Sequence, residues 1–181
     1  MSKLIAVWGS PGSGKTTLAA RLACTIYEQY NAVVLLLTTD MQTPGLPVLF
    51  PARKADELTS VGAPLSKTEV TQNEVIGSIV TVKDKANFGV LGFKDGENAF
   101  SYPAIDRVKA YELLAVMQGL AHVVVVDCTS LMDELSKAAV RQADTVIRLA
   151  TPDLKSAAFF ASQLPMYADP SFKTGQHIIG I

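Results

Sequence analysis

The sequence has little cysteine, little charge and no long apolar run. Its two cysteines, Cys24 and Cys128, make neither a disulfide framework nor, by themselves, a zinc site, and their scarcity fits a reducing cytoplasm. The longest apolar stretches, residues 32–37 and 123–126, fall far below the ~18 residues that a membrane span needs. The run at 4–8 is too short for the apolar core of a secretory signal. Charged residues make up 18% of the chain against 49% hydrophobic ones, a balance that excludes disorder. A net charge of −1 gives no whole-chain signal for nucleic acid or an anionic membrane. No internal repeat, low-complexity tract or linker divides the 181 residues. A single domain over residues 1–181 is expected, and because residues 178–181 end on a strand with nothing to cover it, one truncated at its C-terminal end.

What is present alternates between strand and helix patterns, the mark of an α/β fold. Strands are expected at 4–8, 32–37, 88–93, 122–126, 145–149 and 177–181. Helices are expected at 15–29, with Leu18, Leu22 and Ile26 on one face, at 104–119, with Ile105, Val108, Tyr111 and Ala115 along one side, and at 130–142. A further helix should open at Thr151-Pro152 and bury Leu154, Ala157, Ala158 and Ala161. Residues 41–52 carry three prolines and should be loop. Residues 69–82 are ambiguous, because a helical pattern competes with many β-branched side chains and Gly77. The whole reads as a doubly wound, mostly parallel sheet of about six strands with helices on both faces.

Gly9-Ser10-Pro11-Gly12-Ser13-Gly14-Lys15-Thr16 matches the Walker A pattern in full and lies between a predicted strand and a predicted helix. Glycine lets such a loop turn its N–H groups inward onto phosphate oxygens, and the helix behind adds its positive end. Lys15 supplies a mobile charge for the β- and γ-phosphates, and Thr16 a hydroxyl for Mg²⁺. The expected nucleotide-binding set is Gly9, Ser10, Gly12, Ser13, Gly14, Lys15, Thr16 and Thr17. Asp127, at the end of the apolar strand 122–126, fits the carboxylate that holds Mg²⁺ in P-loop enzymes. Asp40 ends the strand at 32–37 in the same way. It is a candidate to orient the attacking water or to hold a water on Mg²⁺, with a plain turn aspartate as the alternative. Trp8, Cys24 and Cys128 read as packing residues and His122 as a packing or edge residue. Arg53-Lys54 read as solvated charges, with a phosphate or a partner subunit as their alternative target.

With these residues in order, the chain resembles the ParA/MinD group of P-loop ATPases, and within it the divergent CpaE/TadZ-like branch. The resemblance rests on residues 4–17, on the strand 33–40 ending in aspartate, on 123–127, and on Ala143-Asp144-Thr145-Val146-Ile147 with Thr151-Pro152-Asp153. It implies a cytoplasmic Mg-ATP-binding ATPase, a nucleotide-dependent homodimer, and a switch that positions or assembles a cellular machine through an unidentified protein partner. Lys15 and Thr16 then take the phosphate and Mg²⁺ roles, Asp40 that of the catalytic aspartate, and Asp127 the Walker B role. The family's signature lysine and the glycine after it are replaced here by Ser10 and Pro11, and its earlier aspartate by Thr38. Slow hydrolysis is therefore expected. Two other readings compete. One is a small-molecule or nucleotide kinase, against which stands the absence of a paired-arginine lid among the five arginines. The other is a nucleotide-binding scaffold that does not hydrolyse.

Overall fold

A computed structural model describes residues 2–181. The elements run β1 (Lys3–Gly9), α1 (Lys15–Tyr30), β2 (Val34–Thr38), α2 (Gly45–Leu49), α3 (Gly62–Leu65), α4 (Gln72–Gly77), β3 (Val80–Val82), β4 (Lys85–Leu91), α5 (Arg107–Leu120), β5 (Val123–Asp127), α6 (Glu134–Gln142), β6 (Thr145–Leu149), α7 (Leu154–Gln163) and β7 (Ile178–Gly180). The strands form one sheet in the order β3-β4-β2-β5-β1-β6-β7, parallel throughout except for the antiparallel edge pair of β3 and β4.

The continuous Val and Leu runs of the central strands follow from burial on both sheet faces. Their side chains alternate between two cores. Leu4, Ala6 and Trp8 of β1, Leu35 and Leu37 of β2, and Val124 and Val126 of β5 point toward α5 and α6. Val7, Val34, Leu36 and Val125 point the other way, toward Ala19 and Ala23 of α1, with Leu18, Leu22 and Ile26 half-buried beside them. Trp8 is fully buried against Phe159, Phe160 and Tyr167, its ring centroid 4.7 Å from that of Tyr167.

Several local expectations are corrected. Residues 41–52 contain the short helix α2, whose Pro47 falls in the first turn, where a backbone N–H has no helical partner to lose. The ambiguous stretch 69–82 splits in two. Thr71 and Glu74 form a capping box that starts α4, the helix stops at Gly77, and the β-branched residues beyond it become strand β3. Helix α5 starts at Arg107, capped by Asp106, and buries Ala110, Leu113, Leu114 and Met117, while Val108 and Ala115 face outward. Helix α6 starts at Glu134, because Met132 is left-handed (φ 52°) and Asp133 is the cap. Helix α7 is capped by Asp153 rather than Thr151. Its Leu154, Ala157, Ala158 and Ala161 are exposed, and its inward side is Ser156 with Phe159 and Phe160.

This topology gathers the chemistry. Strand β1 lies between β5 and β6, and β5 lies between β1 and β2, so their carboxyl ends open on one edge of the sheet. Register sets Asp127 level with Val7 on one side and Thr38 on the other.

Candidate functional site

The loop from Gly9 to Lys15 is built by backbone constraints. A Cβ on Gly9 would stand 2.1 Å from the carbonyl oxygen of Leu149, so only glycine lets β1 run this close to β6. Gly12 and Gly14 hold left-handed φ values of 75° and 83°, which L side chains rarely adopt. Gly14 is the residue before α1, so the helix opens directly from the loop. Ser13 closes the turn, its N–H and its hydroxyl both donating to the Ser10 carbonyl, at 3.2 and 2.8 Å.

Lys15 turns back into this loop. Its Nζ donates to the Ser10 carbonyl at 2.9 Å and to Ser130 Oγ at 2.7 Å, and Ser130 Oγ in turn donates to the Gly9 carbonyl at 2.9 Å. Burial lowers the Lys15 ammonium pKa, and Asp127, Cys128 and Asp40 oppose that shift. Thr16 Oγ1 donates to Asp127 Oδ2 at 2.6 Å. Burial pushes Asp127 up to about 6, the Thr16 hydrogen bond and the Lys15 ammonium pull it down, and Asp40 pushes it further up. The structure thus brings Lys15, Thr16 and Asp127 together, as their spacing predicts.

Asp40 belongs to the same charge cluster without touching those residues. Its Oδ1 accepts from the N–H groups of Gln42 and Thr43, both at 2.9 Å. It is therefore a turn aspartate by its bonds and a neighbour of Lys15 and Asp127 by its field. Thr17 is exposed on α1. The packing readings hold for Trp8 and Cys128, whose thiol burial holds well above its ordinary pKa. Cys24 is half-buried and bonded to Glu28 and Lys85, at 3.2 Å each. His122 Nδ1 accepts from the Val33 N–H at 2.9 Å, a contact between the starts of the neighbouring inner strands β5 and β2 rather than at an edge of the sheet. Arg53 donates to the Thr81 carbonyl at 2.8 Å and lies over Phe50, so it is tied to β3.

Other polar residues surround the site, and apart from Ser10 sequence reasoning passes over them. Ser10 is buried at 1% exposure. Its Oγ accepts from Ser156 Oγ at 2.9 Å, and Ser156 Oγ accepts from the Thr151 N–H at 3.1 Å. The phosphate loop is thereby tied to the start of α7 within one chain. Thr39 N–H donates to the Asp127 carbonyl at 3.1 Å, and Thr39 Oγ1 and Ser136 Oγ, 2.8 Å apart, both accept from the Thr129 N–H. This buried network fixes β2 against the loop after β5. Near Ser136 the sequence holds one local cue, Asp133, which caps α6 by accepting from the Ser136 N–H at 2.7 Å.

For a divalent cation, Thr16 and Asp127 offer oxygen ligands, and a buried carboxylate drawn up to about 6 is one that a cation would relieve. Among the described residues no group of three or more His, Cys, Asp or Glu is placed to hold a metal by itself. Thr16 and Asp127 are the kind of hydroxyl and carboxylate pair that holds Mg²⁺ together with substrate phosphates. Among the described residues no helix is long and apolar enough to cross a membrane.

No protein-family model matches the chain. An uncharacterized ATP-binding protein of Methanocaldococcus jannaschii is 24% identical over 151 residues, which take in 82% of this chain and 52% of that protein. The chain thus spans about half the length of this curated relative. Among solved structures, the septum site-determining protein MinD of Pyrococcus horikoshii, complexed with Mg-ADP, superposes with a TM-score of 0.71 at 16% identity, over 99% of this chain and 68% of that one. Cobyrinic acid a,c-diamide synthase of Mycobacterium smegmatis, with bound ADP and magnesium, superposes with a TM-score of 0.69 at 20% identity, over 99% and 72%. The fold is the one that MinD and ParA-family ATPases share.

Proposed function

We propose that this chain is a Mg-ATP-binding P-loop ATPase of the MinD/ParA-like type, a single P-loop domain that acts in the cytoplasm as a slow nucleotide switch. The observation that carries the reading is the convergence of Lys15, Thr16 and Asp127 on a glycine-shaped loop at the carboxyl edge of the sheet. ATP rather than GTP is proposed from the ATP-binding relative. The order and spacing of the segments 33–40, 123–127 and 143–153 support a position near the divergent CpaE/TadZ-like branch. With that reading goes a role in positioning or assembling a cellular machine, with a protein partner and a nucleotide-dependent homodimer.

The residues divide the work. The backbone of Gly9, Ser10, Gly12, Ser13 and Gly14, with Thr17 at the helix start, cradles the phosphates. Lys15 exchanges its carbonyl and hydroxyl partners for phosphate oxygens, which bond an ammonium more strongly. Thr16 and Asp127 would hold Mg²⁺, which when bound neutralises phosphate charge. Asp40 Oδ1 is committed to the turn, which leaves Oδ2 to orient a water or, through a water, to serve the metal. The Ser10 hydroxyl is committed to Ser156 of its own chain, so this position sends no charge across to a partner's nucleotide. Slow turnover is the consequence.

The test is phosphate release from Mg-ATP by the wild type and by Asp40→Ala. Slow release in the wild type should fall about a hundredfold or more in the variant, the scale of a lost general base, while ATP affinity changes little. Equal release by both proteins would remove Asp40 from the mechanism. No release by the wild type, with binding intact, would favour the non-hydrolysing scaffold.

A further inference from the structure

A cavity of about 300 Å³ opens beyond the ends of β2 and β5, between the loop before α5 and the cap of α6. That is the lower end of the range for small-molecule sites. Its apolar walls include Phe93, Tyr102, Ile105 and Leu131. Its polar groups include the carboxylates of Asp40, Asp133 and Glu134, and among the described residues that line it there is no Lys, Arg or His.

The walls are held in place. The ring of Tyr102 packs 6.5 Å from that of Phe93, and its hydroxyl donates to Glu97. Glu97 also accepts from Ser60 Oγ at 2.6 Å and from the Lys94 N–H at 3.0 Å. Gly62 leaves room for this ring, since a Cβ there would stand 2.1 Å from it. The carboxylates are held too. Asp40 is fixed by two backbone amides. Asp133 Oδ1 accepts from the Ser136 N–H at 2.7 Å, so the positive end of α6 is already answered by the chain itself. Glu134 is paired with Lys137 at 2.7 Å, which leaves Asp40 and Asp133 as the charges a ligand would meet.

We infer that this cavity binds a small organic ammonium ion, a protonated amine on an apolar and preferably aromatic body. The carboxylates select a cation, the aromatic and aliphatic walls hold its body, and phosphate or carboxylate ligands meet charge of their own sign. This site goes beyond the nucleotide reading and does not rest on it. Asp40 lines the cavity and also acts electrostatically on Lys15 and Asp127, so a cation held here shares one carboxylate's field with the Lys15 site.

The experiment is calorimetric titration of the nucleotide-free chain at pH 7.5 with benzylamine, phenethylamine, tyramine and hexylamine, with 2-phenylethanol and 3-phenylpropionate as neutral and anionic counterparts. At least one amine should bind saturably, about tenfold or more tighter than 2-phenylethanol, and 3-phenylpropionate should not bind. Asp133→Asn keeps an acceptor at the α6 cap, so the fold should persist, and it should erase the preference for amine over alcohol. Ile105→Trp should fill the cavity and weaken amine and alcohol alike. No saturable binding of any amine would overturn the site, as would equal binding of the carboxylate, or an amine preference unchanged in Asp133→Asn. Because nucleotide is absent throughout, these outcomes are independent of the ATPase assignment.

Discussion

Lys15→Ala is expected to weaken ATP binding about a hundredfold or more. The ammonium is half-buried, and burial already lowers its pKa, so it holds its charge at a cost that phosphate oxygens would offset. Its present partners are a neutral carbonyl and a neutral hydroxyl. Anionic β- and γ-phosphate oxygens add an attraction between opposite charges that a neutral carbonyl or hydroxyl does not offer, and a loss of about 2.7 kcal/mol is a factor of a hundred. AMP, which lacks those phosphates, should lose far less. The check is direct titration of ATP, ADP and AMP into both proteins. Equal ATP affinity in the two would show that Lys15 does not face the nucleotide.

Asp127→Asn is expected to act in opposite directions on stability and on metal-dependent binding. Burial raises Asp127 from its ordinary 3.8 to about 6 in the folded chain, so the folded state holds this proton more tightly than the unfolded state does. The resulting penalty is absent below about pH 4, grows between about pH 4 and 6, and is complete above pH 6. Asp133, raised by burial to about 6, adds in the same sense. The ligand-free protein should therefore lose stability from these groups as pH rises from 4 to 6. Asparagine at 127 keeps an acceptor for Thr16 and removes the buried charge, which should stabilise the ligand-free protein at pH 7 by about 1–2 kcal/mol, a Tm rise of about 3–6 °C. The same change removes the carboxylate proposed for Mg²⁺, so the gain in ATP affinity on adding Mg²⁺ should be lost. Thermal unfolding and titrations with and without Mg²⁺ check both halves. A destabilised variant with an unchanged Mg²⁺ effect would contradict the account.

What the sequence revealed follows from which interactions are local. The central strands were legible because β1, β2 and β5 are buried on both faces and read as apolar runs. The phosphate loop was legible because the left-handed Gly12 and Gly14, the close approach at Gly9 and the helix start all lie within a few residues. Asp127 was legible because it ends such a run. Helix faces were less so. In α7 the alanines and Leu154 suggested a buried stripe, yet α7 sits near the sheet edge and turns Phe159 and Phe160 onto Trp8 instead. Long-range polar pairs outside the Thr16–Asp127 contact left no trace. Ser10 meets Ser156, and Lys15 meets Ser130, across more than a hundred residues of chain, and serines carry no periodicity to announce such contacts. The cavity beside Asp40 is of the same kind, since its walls come from three separate loops.

The central claim is that the loop from Gly9 to Thr16 binds a nucleotide through its phosphates. Thermal unfolding of the wild type and of Lys15→Ala, each with Mg-ATP, Mg-ADP or adenosine, tests it most directly. At a ligand concentration a hundred times Kd, binding adds about 2.7 kcal/mol to stability, a rise of about 5–10 °C in Tm. The account predicts that rise for ATP and ADP in the wild type, none for adenosine, and little or none in Lys15→Ala. An unmoved Tm with millimolar Mg-ATP, or the same rise in both proteins, would contradict it.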